Sequence, residues 1–507
     1  MNYWNRLAIV TGALTLASQV FAANFIVKYK QGAALSFPAS SGVTLLDHHD
    51  EGSLLKVRLQ ESTKVKELAS LLSNPDVEYV VEDFAIKAFT APLDLDTYSG
   101  NLKEQWAVTK VKAEEAWAKA GNKGSRKVIV AVIDTGVDYN HPGLKENMVP
   151  GYNFKDNNSD PMDKTGAQNP GHGTHCAGII GATGLQAGGT IGLSPEVSIM
   201  PLRFLGEDGS GDLMAGIKAI DYAISKGVKV ISASWGAAVS RAQAKPLIEA
   251  VKRADDAGVI FVAAASNDGK NNDSYEVYPA NSGLPNMIVV AASGPADEKP
   301  TWSNYGKSSV SLAAPGLNIM STLPKNSYGN LSGTSMATPL VSGLVALLKS
   351  QDESLTGMEV RSLIQSTGAK VGIETACNCR VDAAAAMTTL IDKAAFLTPA
   401  AASLKPNDSL DFKVRNSKGP YKFESTNAAV ATINDSGVLT AIAKGDTTVK
   451  VSDSKGVSLE SLPIHIVEEK PDGGDGGGGL PPMECPLGSP ELCQLICQIL
   501  PQMPWCK

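Results

Sequence analysis

The 507-residue sequence predicts an α/β protein whose main domain is a parallel sheet flanked by helices. Continuous apolar runs such as 128–133 and 287–290 alternate with stretches of helical periodicity such as 213–226 and 246–257. Strands without polar alternation are buried on both faces, which is typical of a parallel sheet with helices on both sides. Segments of different pattern precede and follow this domain, so the chain is predicted to have several parts.

The amino end has the pattern of a secretory signal. Arg6 precedes an apolar stretch from Leu7 to Val20, and small residues favour cleavage after Ala22. A membrane anchor is the alternative, but this run is shorter than the roughly 18 to 20 residues that span a bilayer. We therefore predict a signal peptide at 1–22 and a secreted protein, with cell-surface association as the alternative. We expect no transmembrane segment in the mature chain.

Residues 23–100 are predicted to form a small α+β unit followed by a connector. Apolar periodicity predicts strands at 25–29, 54–59 and 77–81 and one helix at 62–72. The polar run 91–100 is typical of an exposed segment that proteases reach. A compact unit thus precedes the main domain, which we place at 101–397.

Three glycine-flanked segments of the main domain contain Asp134, His172 and Ser335. A serine hydroxyl is a weak nucleophile at neutral pH, so it needs a neutral imidazole to take its proton. A buried carboxylate must hold that imidazole in the correct tautomer. These requirements predict Ser335 as nucleophile, His172 as general base and then acid, and Asp134 as the orienting carboxylate.

This chemistry also needs a donor for the oxyanion that develops on the attacked carbonyl. One side-chain amide contributes roughly 3 to 4 kcal/mol to such a step. Asn267 follows the apolar run 259–265, so its amide is expected at the carboxyl end of a strand, where open α/β sheets bind ligands. Ser335 begins a predicted helix at 335–350, and its own N–H is the second expected donor.

The segments Asp134-Thr135-Gly136, Gly171–His175 and Gly333–Pro339, in the order Asp, His, Ser, resemble those of the subtilisin-like serine proteases, the subtilases of peptidase family S8. The resemblance implies a subtilisin-like fold and a secreted endopeptidase that cuts protein or peptide substrates through an acyl-enzyme on Ser335. It also implies that residues 23–100 include an inhibitor-like propeptide. In the family such a propeptide assists folding, covers the active site and is removed.

The same resemblance implies a substrate cleft. Residues Ser234, Trp235 and Gly236 would form one wall and pair with the substrate backbone as with an added strand. Gly209 and Gly211 would form the opposite rim. The family commonly has glycine where this chain has Ser266, and this side chain would narrow the pocket for the residue on the acyl side of the cut.

The proposed chemistry requires no cofactor, but a structural calcium ion is an expectation. Loop 155–163 is rich in the oxygen ligands that calcium prefers, and Asp160 and Asp163 are the better candidates. Loops rich in Asn and Asp are also common turns, so both interpretations stay open. A calcium-binding Asp that follows His-Pro in many subtilases is replaced here by Gly143, so we expect that site to be absent.

Two other enzyme classes use similar residues. Asp134-Thr135-Gly136 is also the signature of aspartic proteases, with Asp435-Ser436-Gly437 as a second half, but that dyad needs two equivalent β lobes. Asp435 instead falls in a predicted turn. His172 and His175 suggest a metal pair, yet they lack the helix-borne His-Glu-x-x-His pattern. His175 is therefore expected to be structural.

The carboxyl-terminal part changes character. Residues 398–468 have short alternating segments separated by Asn, Asp and Gly turns, which predicts an all-β domain, and several of these segments are similar to bacterial Ig-like repeats. The composition of 469–482 is that of a Gly-rich linker. A Cys-rich tail follows at 483–507.

Cysteine usage favours an oxidising compartment. The tail contains four cysteines, Cys485, Cys493, Cys497 and Cys506. Four cysteines can form two disulfides in three different ways. Cys377 and Cys379 stay unassigned, because a bridge that spans one residue would be strained. Cys176 is expected to pack as a small apolar side chain.

The composition is that of an ordinary globular protein. Hydrophobic residues make up 43%, and the net charge of −7 gives no reason to expect nucleic-acid binding. The alternative function from another class is a surface adhesion protein with an inactive protease-like domain, in which the Ig-like and Cys-rich parts bind. The joint presence of Asp134, His172, Ser335 and Asn267 favours the enzyme.

Overall fold

The computed structural model describes residues 24–33, 35–37, 40–89, 105–185, 189–467 and 485–506. The predicted signal peptide 1–22, the connector 91–100 and the linker 469–482 lie outside these ranges. Among the described residues, none of the helices combines the length and the apolar character needed to cross a bilayer.

The amino-terminal unit is an antiparallel sheet covered by a helix. Its elements are β1 Asn24–Tyr29, β2 Val43–His49, β3 Leu54–Leu59, α1 Lys64–Ser73, β4 Val77–Glu82 and β5 Ala85–Ala88. The strand order is β2-β3-β1-β4, and β5 leaves this sheet to pair elsewhere. The predicted strands and helix are present, whereas β2 and β5 were not predicted. The first six of its seven residues are exposed or half-exposed, which explains why the alternation in β2 is weak.

The main domain begins with α2 and ends with α9. Its elements are α2 Trp106–Lys110, α3 Ala113–Ala120, β6 Ile129–Asp134, β7 Tyr152–Asn153, α4 His172–Gly181, β8 Ser198–Arg203, β9 Ser210–Asp212, α5 Leu213–Ser225, β10 Val230–Ala233, β11 Trp235–Gly236, α6 Lys245–Asp256, β12 Ile260–Ala264, β13 Met287–Ser293, β14 Leu312–Pro315, β15 Ile319–Leu323, β16 Ser327–Leu331, α7 Thr334–Gln351, α8 Gly357–Thr367, β17 Ala369–Lys370, β18 Cys379–Arg380 and α9 Ala383–Ile391.

The central sheet has the order β17-β18-β14-β13-β12-β10-β6-β8-β7, and its neighbours are parallel except for β17 with β18. Alternate residues of one strand enter different cores. Val130 and Val132 pack with α7 on one face, whereas Ala131 and Ile133 pack with α5 and α6 on the other. Because each face is covered by helices, the strands read as continuous apolar runs, as predicted.

The residues after α9 form short strands around a separate apolar core. The strands are β19 Phe396–Thr398, β20 Ala402–Leu404, β21 Ser409–Asp411, β22 Lys413–Arg415, β23 Tyr421–Ser425, β24 Ala431–Ile433, β25 Val438–Ala441, β26 Gly445–Thr447, β27 Val449–Asp453, β28 Ser458–Glu460 and β29 Ile464–Ile466. In β19, Phe396 packs into the main domain and Leu397 into the β core, so this strand joins the two. Asp435 lies in the exposed turn between β24 and β25, outside the main domain that contains Asp134.

The tail contains α10 Pro490–Ile499 and two disulfides, Cys485–Cys493 and Cys497–Cys506. Of the three pairings left open by the sequence, the structure has this one. Cys377 and Cys379, which the sequence left unassigned, are also bonded, with Asn378 between them in the left-handed backbone region. Cys176 is a buried free thiol in α4.

Candidate active site

A buried carboxylate–imidazole pair lies at the carboxyl end of the central sheet. Asp134 is the last residue of β6, and His172 is the first of α4. His172 Nδ1 lies 2.7 Å from Asp134 Oδ1, and both side chains are 1% exposed. A hydrogen bond from Nδ1 to this carboxylate leaves Nε2 as the free base nitrogen, which is the tautomer required of a general base.

The electrostatics of this pair set the protonation of His172. Burial alone lowers the pKa of an imidazole, but the adjacent Asp134 carboxylate outweighs burial, and the net pKa of His172 is raised. The imidazolium is therefore stabilised where it would form during proton transfer.

The start of α4 is held by side chains from neighbouring loops. His172 N donates to Asn169 Oδ1 at 2.8 Å, Gly173 N to Thr135 Oγ1 at 2.9 Å, and Thr174 N to Asp163 Oδ2 at 3.0 Å. These bonds satisfy backbone donors that a helix leaves without an internal partner. They fix the imidazole because His172 is part of the same turn.

Close packing explains a glycine in the histidine segment. A Cβ at Gly173 would collide with the carbonyl oxygen of Gly136 and crowd Asp134 Cβ. Glycine therefore lets the first turn of α4 approach the end of β6. This contact keeps the acid and the base within hydrogen-bond distance.

Ser335 lies in the first turn of α7, which packs against α4, and its side chain is fully buried. Its Oγ donates to the backbone oxygen of Ser234 at 2.9 Å. His172 Nε2 is buried and has no hydrogen-bond partner. The structure thus contains the Asp134–His172 bond but not the bond from Ser335 to His172. Catalytic hydrogen bonds often tighten only once the reacting groups are engaged.

Asn267 follows β12 and is oriented by Thr334. Its Oδ1 accepts from Thr334 N at 3.0 Å and from Thr334 Oγ1 at 2.9 Å. Both Thr334 groups donate, so the amide atom that faces Thr334 must be the accepting oxygen, and Nδ2 must face away from Thr334. That nitrogen donates to the backbone oxygen of Phe89 at 2.9 Å. Sequence reasoning missed Thr334, although it directly precedes Ser335.

A segment of the amino-terminal unit fills the adjacent cleft. Strand β5 lies between β11 and β9 and is antiparallel to both. Ala88 is opposite Trp235, and Ala88 N donates to Gly209 O at 3.0 Å. The extended backbone of β5 therefore lies between the wall and the rim that the sequence predicted. The wall is Ser234, Trp235 and Gly236, and the rim is Gly209 and Gly211.

Phe89 ends this extended segment at the backbone of Ser234 and the side chain of Asn267. Its N–H donates to Ser234 O at 3.1 Å, the same oxygen that Ser335 Oγ contacts. Its carbonyl oxygen accepts from Asn267, and a Cβ at Gly333 would lie 2.7 Å from that oxygen. A Cβ at Gly236 would lie 2.8 Å from the Phe89 ring. Both glycines therefore make room for Phe89.

Ser266 has a backbone conformation that favours glycine, with φ of 92°. This explains in physical terms why glycine is common at this place in the family that the chain resembles. Its Oγ donates to Asp268 Oδ2 at 2.7 Å. The effect of Ser266 on the neighbouring pocket stays a prediction.

The expected calcium ligands have other partners. Both carboxylate oxygens of Asp163 are used, by Asn169 Nδ2 at 3.1 Å and by Thr174 N and Oγ1. Asp160 is exposed and accepts from the hydroxyl of Tyr139 at 3.1 Å. Within the described ranges, the one cluster of three potential metal-binding side chains is Asp134, His172 and Cys176. Calcium binding stays a prediction.

His175, the second histidine of the segment, is buried one turn into α4. Its Nε2 lies 3.0 Å from Gly329 O, and burial lowers its pKa to about 3. It is thus neutral and bonded to the backbone of β16.

Comparison with known proteins decides the family. Residues 125–393 match the peptidase S8 family model, described as the subtilase family. The chain belongs to the subtilase family. It is 40% identical over 267 residues to thermitase from Thermoactinomyces vulgaris, which covers 53% of this chain and 89% of thermitase. It is 43% identical over 244 residues to the major intracellular serine protease of Bacillus subtilis (strain 168), with coverage of 48% and 74%.

A third subtilase gives similar coverage. The thermophilic serine proteinase of Bacillus sp. (strain AK1) is 39% identical over 302 residues, which cover 60% of this chain and 70% of the relative. The chain is therefore a serine protease of the subtilase family with an α/β main domain, and its substrates are peptides. The segment 85–89 and the side chains Asn169 and Thr334 were not identified from the sequence. The segment 85–89 and Thr334 act through contacts with distant parts of the chain, whereas the bonds of Asn169 are local and depend on how its loop folds.

Proposed function

We propose that this subtilase is a secreted endopeptidase, made as an autoinhibited precursor that cuts its own chain after Phe89. One observation carries the proposal: the Phe89 carbonyl accepts a hydrogen bond from Asn267 Nδ2, while β5, which directly precedes Phe89, is paired on both sides of the cleft. This is the arrangement expected of the acyl side of a scissile bond. The expected cut thus moves from the connector 91–100 to the Phe89–Thr90 bond.

The reaction begins when the Ser335 hydroxyl turns from Ser234 O to His172 Nε2. Ser335 Oγ then bonds to the Phe89 carbonyl carbon, and its proton passes to Nε2. The negative oxygen is held by Asn267 Nδ2 and by Ser335 N–H at the start of α7. His172 next gives the proton to the nitrogen of Thr90, the C–N bond breaks, and an acyl-enzyme on Ser335 remains.

Water completes the cycle. His172 takes a proton from a water molecule, which attacks the acyl carbon, and the ester bond to Ser335 breaks as Oγ is reprotonated. Asp134 keeps the imidazole oriented in both halves and stabilises the imidazolium. Asp134, His172 and Ser335 are thus the proposed triad.

Inhibition of the precursor is supported by contacts outside the cleft. His49 is buried and its Nε2 lies 2.6 Å from Asp221 Oδ2 of α5, while Arg253 of α6 holds both oxygens of that carboxylate. The hydroxyl of Tyr79 donates to Glu249 of α6 at 2.8 Å. These polar bonds surround an apolar contact, so the propeptide would block the cleft after the cut as well as before it.

The segment in the cleft indicates the preferred substrate. Ile86 is fully buried and packs with Phe204 of the main domain, whereas Lys87 is exposed. Phe89 occupies the position of the acyl-side residue. We therefore propose that preferred substrates have an aromatic residue at the cut and an aliphatic residue three positions before it.

The remaining assignments are part of this proposal. They are a propeptide and connector at 23–100, a protease domain at 101–397, an Ig-like domain at 398–468, a linker at 469–482 and a tail at 483–507. Secretion is supported by the disulfides, which persist in oxidising compartments. A structural calcium ion near Asp160 and Asp163 stays proposed, and the chemistry needs no cofactor.

The test compares the full chain with its Ser335→Ala variant. Mass spectrometry should find a new amino terminus at Thr90 only in the wild type. Likewise, only the wild type should digest casein. Removal of a triad nucleophile lowers kcat by about 10⁶-fold. Equal processing and digestion by both chains would refute the proposal. Chains that are both inactive but bind cells or polymers would support the adhesion alternative.

A further inference from the structure

The two faces of the propeptide sheet are covered by different parts of the chain. Within β1, Ile26 packs into the core that contains α5 and α6, whereas its neighbours Phe25 and Val27 point to the opposite face. This follows from the alternation of side chains along a strand. Phe25 and Val27 share their core with α1 and with the carboxyl-terminal tail.

The tail contributes fully buried side chains to this core. Leu487 and Ile496 have no exposed surface, and Leu492 is almost as deeply buried. The backbone is joined as well, since Glu82 N donates to Pro486 O at 3.1 Å. The tail therefore completes the propeptide sheet on the side that faces away from the protease.

The tail is too small to bury an apolar core of its own. Chains of this size need disulfides or a partner to fold. Its two disulfides fix the ends of α10, and the buried side of α10 at Leu492 and Ile496 faces the propeptide. Two further apolar residues of α10, Leu495 and Ile499, are 44% and 51% exposed. Among the described residues, the buried side of α10 thus packs against the propeptide.

We propose that the disulfide-bonded tail 485–506 is a binding module for the propeptide and retains it on the protease after the bond that follows Phe89 is cut. This inference rests on the proposed function, because it requires that cut. The tail belongs to the same chain as the protease. The cut propeptide consequently has two attachment sites on one molecule, the cleft with α5 and α6, and the tail.

A propeptide held at two linked sites dissociates more slowly than one held at a single site. While either contact holds, the other reforms within the same molecule, and such linkage raises overall affinity by about 10²- to 10⁴-fold. Loss of the tail contact should therefore speed propeptide release by at least about tenfold. The chemistry at Ser335 should not change.

The experiment uses the full chain with Ile496→Asp and the matched control Leu495→Asp. The two positions are adjacent in α10, and only the first is buried against the propeptide. Native mass spectrometry follows propeptide retention, and hydrolysis of a chromogenic peptide follows the lag before activity. We expect at least about tenfold faster release and a shorter lag for Ile496→Asp, with Leu495→Asp like wild type. Equal release from all three chains would overturn the inference.

A second measurement avoids any effect of Ile496→Asp on folding. A recognition site for a sequence-specific protease is placed within 469–482, and the linker is cut after the chain has folded and processed itself. The propeptide and the tail should then leave the protease together as one complex. A tail that leaves alone, with the propeptide still bound, would contradict the inference.

Failure of the proposed function is distinguishable from failure of the inference. If wild type makes no cut at Phe89, the proposed function is wrong and the retention step with it. The tail contact is then judged separately in the uncut Ser335→Ala chain by hydrogen exchange at the Glu82 amide, which donates to Pro486. Faster exchange with Ile496→Asp than with Leu495→Asp supports the contact, and equal exchange refutes it.

Discussion

The proposed active centre and the contact between the proposed propeptide and the tail (the propeptide–tail contact) are stabilised by different physical interactions. At the centre, buried polar groups are joined by hydrogen bonds of defined geometry, as in Asp134–His172 and Thr334–Asn267. At the propeptide–tail contact, apolar side chains such as Phe25 and Ile496 are buried, with few directional bonds. Polar networks fix positions of atoms, whereas apolar burial supplies non-directional affinity.

Because of this difference, we expect the catalytic rate and the retention of the propeptide to depend on different residues. Among the described residues, the core that the amino-terminal unit shares with the tail includes neither Asp134 nor Thr334, and the tail contributes no group to the proposed triad. Substitutions at the centre should therefore change catalysis while the propeptide stays bound. Substitutions at the apolar contact should change release while the chemistry stays intact.

Of the substitutions that test this difference, Asp134→Asn is expected to cause the largest loss of kcat. An amide at this position favours the wrong tautomer of His172, and kcat should fall by about 10⁴-fold. The Asp134 carboxylate raises the pKa of His172, so activity, which needs neutral His172, is lost in wild type as the pH falls through that raised value. Without the carboxylate, burial lowers this pKa, and the acid limb of the kcat/KM profile should move to lower pH.

A buried aspartate elsewhere provides the control for this variant. Asp382 caps α9 and is bonded to Lys112. Asp382→Asn should leave the pH profile unchanged. If Asp134→Asn lowers the rate but leaves the acid limb in place, His172 is not the group that titrates there.

The next effect is expected from Asn267→Ala. Loss of one oxyanion donor lowers kcat by about 10²- to 10³-fold, and KM should change little because the ground-state backbone pairing remains. Thr334→Val should give a smaller loss, since it removes one of the two bonds to Asn267 Oδ1. A kcat for Thr334→Val equal to wild type would show that the backbone bond alone orients Asn267. Steady-state kinetics on a chromogenic peptide measure both variants.

The sequence predicted what local patterns determine. The apolar runs at 128–133 and 287–290 became β6 and β13, and the helical pattern at 335–350 became α7. Each is a long periodic segment whose burial is nearly complete, so its pattern is unambiguous. The family resemblance was likewise carried by short segments that include the residues of the proposed triad.

The sequence did not predict contacts between distant segments. Strand β5 has only four residues and gains its partners from β9 and β11, more than 120 residues later in the chain. Leu492 and Ile496 have the spacing of an ordinary amphipathic helix, and nothing in that spacing identifies the propeptide as the surface that covers them. The bonds of Asp163 to Thr174 and Asn169 were not predicted either, because they depend on how the loop folds, and calcium binding at Asp163 stays a prediction.

A substrate pair tests the apolar part of the cleft. The peptides Ile-Lys-Ala-Phe-p-nitroanilide and Ala-Lys-Ala-Phe-p-nitroanilide differ at the place of Ile86, which is fully buried. Burial of an aliphatic side chain of this size contributes about 1.5 to 3 kcal/mol, so the first peptide should have a kcat/KM about 10- to 100-fold higher. Replacing Lys by Ala at the exposed place of Lys87 is the control and should have little effect. Equal values for the first pair would mean that substrates do not follow the path of β5.

The smallest effect is expected at Ser266, where the active centre departs from the family pattern. With φ of 92°, any residue with a Cβ is strained by about 1 to 3 kcal/mol, whereas glycine is not. Ser266→Ala keeps the strain and loses the bond to Asp268, so it should destabilise the fold by about 1 kcal/mol.

Ser266→Gly loses the same bond but relieves the strain. The glycine variant should therefore unfold at a higher temperature than the alanine variant, which reverses the usual order of these two residues. Thermal unfolding in a Ser335→Ala background, which prevents self-digestion, measures the difference. If alanine is the more stable, the backbone at Ser266 is not strained.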